Sequence, residues 1–401
     1  MKGEPAEIIE DPPAVPSSVD WVRRIAAFAP GIAAAAEEIE RERRLPEAIV
    51  GAMAEAGLFR LLLPRAVGGA EVDPLTFAAV LQELARIDGS TAWCLGQTSV
   101  CAMVAAFLPI GAAREIFLDR RSVLTWGSGT GRAIAVDGGY RVTGNWSFAS
   151  GGHNATWLGG HCVIHDRDGT PRRASNGGAL WRTMLFPAAE APLTDVWQVI
   201  GLRGTGSDAY SVSDLFVPDS HSVARDDPAE RRERGPLYCL RTDNLFACGF
   251  ASVALGLARR MLDDFIALAR DKQPRGHAQA LRDSAAVQTD VGELEAQLRG
   301  ARLYLMGTVG EVWQAVERTN EITLEQRMSI RLAATRTIQE AVAVADAAYH
   351  AAGATAIFAR SAFERRFRDM HALAQQLQAR RSHFETVGKF LLGLEADTAF
   401  L

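Results

Sequence analysis

The chain has 401 residues, of which 48% are hydrophobic and 23% are charged, and its formal net charge is −5. This length exceeds one ordinary domain and predicts two or three lobes with a large core. The negative charge argues against a nucleic-acid partner, since dedicated nucleic-acid binders carry a basic surplus. No run of about 18 apolar residues indicates a membrane span, and the acidic, proline-rich start lacks the apolar segment of a secretory signal. A cytoplasmic protein without a membrane partner is therefore predicted.

The five cysteines predict neither a disulfide framework nor a zinc knuckle. Their number is odd and no two of them have CxxC spacing. They are Cys94, Cys101, Cys162, Cys239 and Cys248.

Helical patterns dominate the first part of the chain. After a loose leader over residues 1–17, we predict an N-terminal helical domain over 18–120. Asp73-Pro74 has the form of a helix start, with a capping side chain followed by proline. The next segment, residues 91–108, is apolar almost all round and should lie inside this domain. Its polar exception is Gln97, for which a core glutamine bonded to backbone is favoured over a substrate contact, and both readings stay open.

A central β domain is predicted over residues 121–232, beginning with a β-meander. Strand-like alternation on both sides of Asp137-Gly138-Gly139 predicts a tight hairpin. The segment that follows, residues 146–151 (WSFASG), places two aromatic rings and a hydroxyl beside a glycine. Such a segment can hold a flat ring through stacking and hydrogen bonds. Residues 201–208 (GLRGTGSD) are read equally as a structural turn and as a cofactor-binding loop.

The remainder, residues 233–401, is predicted to be a C-terminal bundle of four long helices joined by short loops. One charged cluster stands out near its end and is interpreted as a solvated helix face. The cluster consists of Arg365, Arg366, Arg368, Asp369 and His371.

The common catalytic, nucleotide-binding and metal-binding motifs do not identify a function for this sequence. Residues 127–131 (GSGTG) precede a hairpin instead of opening a helix, so a dinucleotide-binding fingerprint is rejected. His161 and His165 would share one face of a strand, but spacing places no third ligand beside them, and no metal is predicted. Neither a GxSxG nor an HExxH motif is present in the sequence.

Three segments resemble the acyl-CoA dehydrogenase superfamily: LFRLLLPRAVGGAEVD at 58–73, DGGYRVTGNWSFASG at 137–151 and GLRGTGSDAYSVSDLFVP at 201–218. The resemblance implies a mainly helical α+β fold with an N-terminal helical lobe, a central β-barrel or sandwich lobe and a C-terminal four-helix bundle. WSFASG followed by Ala155-Thr156-Trp157 is more similar to the flavin-dependent monooxygenase branch. That branch includes the oxygenase components of p-hydroxyphenylacetate hydroxylase and dibenzothiophene monooxygenase.

The resemblance also implies a function. It indicates a homodimeric or homotetrameric oxygenase that receives reduced flavin, FMN or FAD, from a separate flavin reductase. With O2 the reduced flavin would form a C4a-hydroperoxide and hydroxylate a small aromatic or polycyclic substrate.

Two alternatives are kept beside this reading. An acyl-CoA dehydrogenase-like oxidoreductase is disfavoured, because the positions that supply a glutamate base in that family hold Leu377 and Phe246 here. Residues 125–128 (TWGS) also replace the family's acidic segment. The second alternative is a scaffold without enzymatic activity, which would bind neither oxidised nor reduced flavin.

By the resemblance, Trp146, Phe148 and Ser150 contact the isoalloxazine ring. In that family a histidine of the late helix is catalytic, and Gln376 stands at its position here. His371 lies five residues earlier. The hydrogen-bond donors of the site would then be Ser150 together with Gln376 or His371. Two further sets complete the predicted site. The neighbouring subunit's flavin phosphate would be reached by Arg270, Gln273 and Arg275, and the substrate would be contacted by Trp93, Gln97 and Trp126.

Overall fold

The protein is described by a computed structural model over residues 17–174, 177–276 and 278–398. The predicted leader, except for its last residue, lies outside the described residues. Along the chain, helices come first, then strands, then helices again. The predicted α+β fold, mainly helical with a central β domain, is confirmed.

Six helices form the first group, and side-chain caps mark the start of three of them, at Ser17, Asp73 and Asp88. Asp73 accepts hydrogen bonds from two backbone N–H groups at 2.9 Å, ahead of Pro74. Asp88 caps the following helix, in which all 14 residues are buried. The helices are α1 (Ser18–Ala34), α2 (Ala36–Glu42), α3 (Glu47–Glu55), α4 (Pro74–Ile87), α5 (Gly89–Ala102) and α6 (Ile110–Phe117).

Nine strands make one curled sheet. They are β1 (Leu124–Trp126), β2 (Ser128–Gly129), β3 (Gly131–Val136), β4 (Gly139–Ser147), β5 (Trp157–His165), β6 (Trp181–Pro187), β7 (Leu193–Thr194), β8 (Ala209–Pro218) and β9 (Ser222–Val223). The main path runs β7-β8-β4-β3-β5-β6-β9, and β1 pairs with β5. The predicted hairpin is confirmed, because β3 and β4 pair antiparallel around a turn in which Gly138 has φ +78°.

The predicted meander is wrong beyond that hairpin. β5 pairs parallel to β3, and on the side of β4 away from β3 the antiparallel neighbour is β8. The reason is local: residues 148–156 leave the sheet after β4, so the chain returns on the far side of β3. This excursion contains the last four residues of the WSFASG segment, which therefore lie at the end of β4.

Five helices form the last group: α7 (Thr242–Asp271), α8 (Ala285–Thr319), α9 (Leu324–Ala352), α10 (Ala362–Leu373) and α11 (Ser382–Leu391). α7, α8 and α9 are long, as predicted. The fourth helix, α10, is shorter than predicted. α7 packs against α4, α5 and α9, which joins the two helical groups. It is long and apolar enough to cross a membrane, but 89% of its most apolar window is buried inside the protein, as in a core helix.

The interpretation of the charged cluster on α10 as a solvated face is wrong. Arg366 and Asp369 are 6% and 1% exposed. Arg366 pairs with Asp264 of α7 at 2.5 Å, and an Asp369 carboxylate oxygen accepts the backbone N–H of Leu202 at 2.6 Å. Burial, with the nearby Asp88 carboxylate second, raises the pKa of Asp369 to about 7. The partners come from distant segments, so the charge run alone could not reveal them.

Candidate functional site

The two helical groups and the sheet meet around Ser150, in the turn that follows β4. Trp93 of α5 donates its indole N–H to the Ser150 hydroxyl at 3.0 Å, and Thr125 of β1 donates to the Ser150 carbonyl at 2.9 Å. Gln97 lies one turn after Trp93 and donates to the Trp126 carbonyl at 3.1 Å. The structure therefore brings together the three predicted substrate contacts and the predicted flavin contact Ser150. Gln97 also has the backbone bond expected of a core glutamine.

Phe148 is the exposed member of this turn. Its side chain is 60% exposed, and its φ of +64° lies in the left-handed region that bulky residues rarely adopt. Trp197 meets it edge-on, with ring centroids 5.9 Å apart. The turn thus holds an aromatic ring open to solvent two residues from the Ser150 hydroxyl.

Trp146 has a different place from the one predicted. Its side chain is 0% exposed and lies inside the sheet's core, stacked 5.4 Å from Tyr210. A Cβ added at Gly131 or Gly160 would come within 2.5 Å of its ring, so the neighbouring strands leave room only for this indole. The prediction that Trp146 contacts the flavin is corrected: the side chain has no free surface to offer a ligand.

An aromatic stack lines the helical side of the junction. Trp93 lies on Phe250 of α7 with ring centroids 3.7 Å apart, and Phe246 stacks on Phe250 at 5.7 Å. Phe246 is one of the two positions where a dehydrogenase would carry its glutamate. The structure therefore has an apolar wall where proton abstraction would need a carboxylate.

A charged group flanks Trp126. The Arg225 guanidinium lies 5.8 Å from the centroid of the Trp126 ring and donates to the Thr242 hydroxyl at 2.5 Å, at the start of α7. The next residue, Asp243, is buried, and burial raises the pKa of its carboxyl group. Burial first, and the Arg225 charge second, hold the pKa of His161 well below its usual value. Arg225 and Asp243 were not found from the sequence, since nothing in their spacing marks them.

The turn at residues 201–208 contributes hydroxyls to the same site. Ser207 is 2.7 Å from the Ser150 hydroxyl, and Thr205 is 2.7 Å from Ser207. Both side chains are 2% exposed. The turn also packs structurally, because Arg203 donates to the Glu40 carbonyl at 3.2 Å. These contacts are those of a structural turn, and the cofactor-binding role of GLRGTGSD stays a prediction.

His371 and Gln376 lie away from Ser150. His371 is bonded to the Asp346 carboxylate of α9 at 2.8 Å. Asp369, two residues earlier, faces Leu202, and two residues turn a helix by about 200°, so His371 points away from that side. Gln376 lies beyond the end of α10, and its side-chain oxygen accepts the backbone N–H of Gln378 at 2.7 Å. The geometry does not support either residue as Ser150's catalytic partner.

His383 is the buried histidine of this region that the sequence analysis missed. Its Nε2 atom is 2.8 Å from the Leu377 carbonyl, and burial lowers the pKa of the ring. Gln378, in the same turn, bonds to the fully buried Arg331.

Arg270 and Arg275 lie exposed at the carboxyl end of α7 and in the connection after it, with Gln273 between them. No hydrogen bond of Ser150 involves them. Their role toward a neighbouring subunit stays a prediction. As for metals, His161 is bonded to the Thr183 hydroxyl at 2.9 Å, and the described ranges contain no group of three potential metal-ligating side chains.

The turn fits the edge of a flat heteroaromatic ring such as a flavin. Phe148 supplies exposed aromatic surface, and the Ser150 hydroxyl can form one further hydrogen bond beside its bonds to Trp93 and Ser207. The Ser150 backbone N–H is already donated to the Phe148 carbonyl at 2.9 Å. Of the two groups predicted to bond the ring, the hydroxyl is therefore the available one.

The Phe148–Ser150 turn at the end of β4, enclosed by helices from both ends of the chain, has the aromatic surface and the hydrogen-bonding hydroxyl that a flavin-binding oxidoreductase requires. Family models agree: the acyl-CoA dehydrogenase N-terminal domain matches residues 19–111 and the acyl-CoA dehydrogenase C-terminal domain matches residues 248–381. The chain belongs to the acyl-CoA dehydrogenase superfamily.

Individual relatives point to one branch of that superfamily. Indole-3-acetate monooxygenase of Pseudomonas putida is 25% identical, with 100% of this chain and 99% of that protein covered. The flavin-dependent monooxygenase oxygenase subunit HsaA of Rhodococcus jostii is 28% identical over 88% of this chain and 92% of its own. The solved structure of XiaF from Streptomyces has the same fold, with a TM-score of 0.88, 24% identity and coverage of 96% and 98%. The predicted resemblance to the monooxygenase branch is confirmed.

Proposed function

We propose that this protein is the oxygenase component of a two-component flavin-dependent monooxygenase that hydroxylates a small aromatic or polycyclic substrate. The observation that carries the proposal is the turn at Phe148 and Ser150, where exposed aromatic surface and a hydroxyl that can form one further hydrogen bond lie together at the junction of the domains. Relatives named as flavin-dependent monooxygenases match this chain over most of their length. Its partners are then a reductase that supplies reduced flavin, O2 and a small-molecule substrate.

The residues of the chain have distinct tasks in this reaction. Bound reduced flavin supplies the two electrons that let one atom of O2 enter the substrate while the other leaves as water. Ser150 would form a hydrogen bond with the edge of the bound ring, and Phe148 would cover part of that ring. The stack of Trp93, Phe250 and Phe246 would exclude water from the helical side of the site, which protects reactive intermediates from reaction with water.

The activity is tested by supplying reduced flavin continuously and following oxygen into product. The protein is mixed with NADH, a general flavin reductase, flavin and isotopically labelled O2, and a panel of phenols, indoles and fused-ring aromatics is offered. We expect one labelled oxygen atom in a hydroxylated product, and no product when either the protein or the reductase is omitted. Failure to bind flavin in either redox state would instead support a scaffold without enzymatic activity.

We further propose a homo-oligomer, dimer or tetramer, in which Arg270, Gln273 and Arg275 reach the flavin phosphate of a neighbouring subunit. Support comes from the exposure of both arginines at the end of α7, where they are available to another subunit. The planar guanidinium pairs with two phosphate oxygens at once, which suits this role.

Replacing Arg270 or Arg275 by alanine is expected to weaken binding of FMN or FAD about tenfold or more, since hydrogen bonds to charged groups contribute roughly 1.5–3 kcal/mol. Riboflavin, which lacks the phosphate, should bind equally to parent and variants. Arg282→Ala is the matched control, because Arg282 is an arginine of the same connection with a side chain 61% exposed. Anaerobic titration measures the affinities, and light scattering confirms the mass. If both variants stay assembled and bind FMN and FAD like the parent, the arginine assignment is wrong.

A cytoplasmic location is part of the proposal. All five cysteines are free, and four of them are buried. Free thiols suit a reducing compartment. Cell fractionation with a marker for each compartment tests the location, and recovery outside the cytoplasm would contradict it.

A further inference from the structure

Four side chains form a continuous hydrogen-bonded chain behind the Phe148–Ser150 turn. The Trp93 indole N–H donates to the Ser150 hydroxyl at 3.0 Å, and the hydroxyls of Ser150 and Ser207 lie 2.7 Å apart. The Ser207 and Thr205 hydroxyls are also 2.7 Å apart, and Thr205 donates to the Leu202 carbonyl at 2.8 Å. Each of the four side chains is at most 6% exposed. We call this set the hydroxyl chain.

The donors and acceptors give the hydroxyl chain a direction. An indole N–H can only donate, and each hydroxyl has one proton to give. Because the Thr205 proton goes to Leu202, Ser207 must donate to Thr205, and Ser150 must donate to Ser207. The Leu202 carbonyl also accepts the Thr205 backbone N–H and the Trp197 indole, both at 3.1 Å, and the Thr205 hydroxyl is the nearest of the three.

The opposite direction leaves a proton without a partner. If Thr205 donated to Ser207 and Ser207 to Ser150, the bond to Leu202 would be lost. The Ser150 proton would then have no acceptor among the hydrogen bonds of the described residues. A buried unpaired donor is costly, so the direction toward Leu202 is the stable one.

With this direction fixed, the Ser150 oxygen offers a ligand one lone pair and no proton. A ring atom that meets it must be a donor. The N5 atom of a reduced flavin carries a hydrogen, whereas N5 of an oxidised flavin has a lone pair. We propose that Ser207 and Thr205 are positioning residues that hold Ser150 as an acceptor and thereby make the site prefer reduced over oxidised flavin. This inference rests on the proposed function, in which a flavin edge lies at Ser150.

Such a preference suits an enzyme that takes up reduced flavin from a separate reductase and must release the oxidised form after turnover. It also gives a measurable quantity. The ratio of the dissociation constants of oxidised and reduced flavin fixes how far binding raises the flavin's reduction potential. A variant that only loosens the fold weakens both affinities together and leaves this ratio unchanged.

The test is Thr205→Val, which keeps the side chain's shape and removes its hydroxyl. Ser207 can then donate to Ser150, and Ser150 can donate to oxidised N5. We expect the ratio to fall roughly 2- to 10-fold, the worth of one hydrogen bond. A tenfold fall is a drop of about 30 mV in the two-electron potential of the bound flavin. Ser207→Ala should shift the ratio in the same direction, and Thr205→Ser, which restores a hydroxyl, should return it to the parent value.

Thr98→Val is the matched control. Thr98 is 3% exposed, lies against Gly151 and donates its hydroxyl to the Cys94 carbonyl at 2.8 Å, outside the hydroxyl chain. It should leave the ratio unchanged. If Thr205→Val and Ser207→Ala bind both redox forms with the parent's ratio, the inference is wrong while the proposed function stands. If the parent binds neither form of flavin, the inference and the proposed function fail together.

Discussion

Acyl-CoA thioesters of any chain length are expected to leave the oxidised flavin of this protein unreduced. A dehydrogenase must remove a weakly acidic α-proton as hydride leaves, and its glutamate positions hold Phe246 and Leu377 here. Phe246 is 8% exposed and stacked on Phe250, so no carboxylate stands at that point of the wall. General-base help is worth roughly two to four orders of magnitude in rate, and its loss should make acyl-CoA oxidation negligible even if a thioester enters.

The measurement is anaerobic mixing of the oxidised holoprotein with short, medium and long acyl-CoAs while the flavin absorbance is followed. Asp243 is the carboxylate to control for, because it lies three residues before Phe246 on α7 and therefore on the same face. Burial raises the pKa of Asp243, which makes its carboxylate a stronger proton acceptor than an exposed one. If an acyl-CoA bleaches the flavin at a catalytic rate, and this bleaching disappears in Asp243→Asn, a dehydrogenase is favoured over a monooxygenase.

The sequence predicted what depends on local patterns. The helix start at Asp73-Pro74 and the hairpin at Asp137-Gly138 follow from capping and turn chemistry, and both are where the spacing placed them. The order of helices, strands and helices follows from a change in period along the chain. Those features need only neighbours in sequence to be correct.

The site was predicted less well because its contacts join distant segments. Ser150 is held by Trp93, 57 residues earlier, and by Ser207, 57 residues later. Asp369 finds its partner at Leu202, which is 167 residues away. The resemblance also placed Gln376 on the late helix, but α10 ends at Leu373 and the chain turns before that glutamine. No local period encodes which of these segments meet.

The burial of Trp146 also depends on contacts between distant segments, and it leads to a prediction about stability. Trp146→Ala should lower the free energy of unfolding of the flavin-free protein by about 3–5 kcal/mol, the usual cost of truncating a buried tryptophan. The indole stacks on Tyr210 at 5.4 Å and lies against Gly131 and Gly160, whose backbones cannot move in to fill the space without breaking the strand pairing.

Denaturant unfolding of the flavin-free protein separates a core role from a ligand-contact role, since no flavin is present to be lost. Trp181→Ala is the matched control: the same substitution on β6 of the same sheet, at a side chain that is 46% exposed. It should change stability by no more than about 0.5 kcal/mol, as is usual for surface positions. Should Trp146→Ala unfold like the parent yet bind flavin poorly, the indole would be a flavin contact after all, and the sheet would have to open to present it.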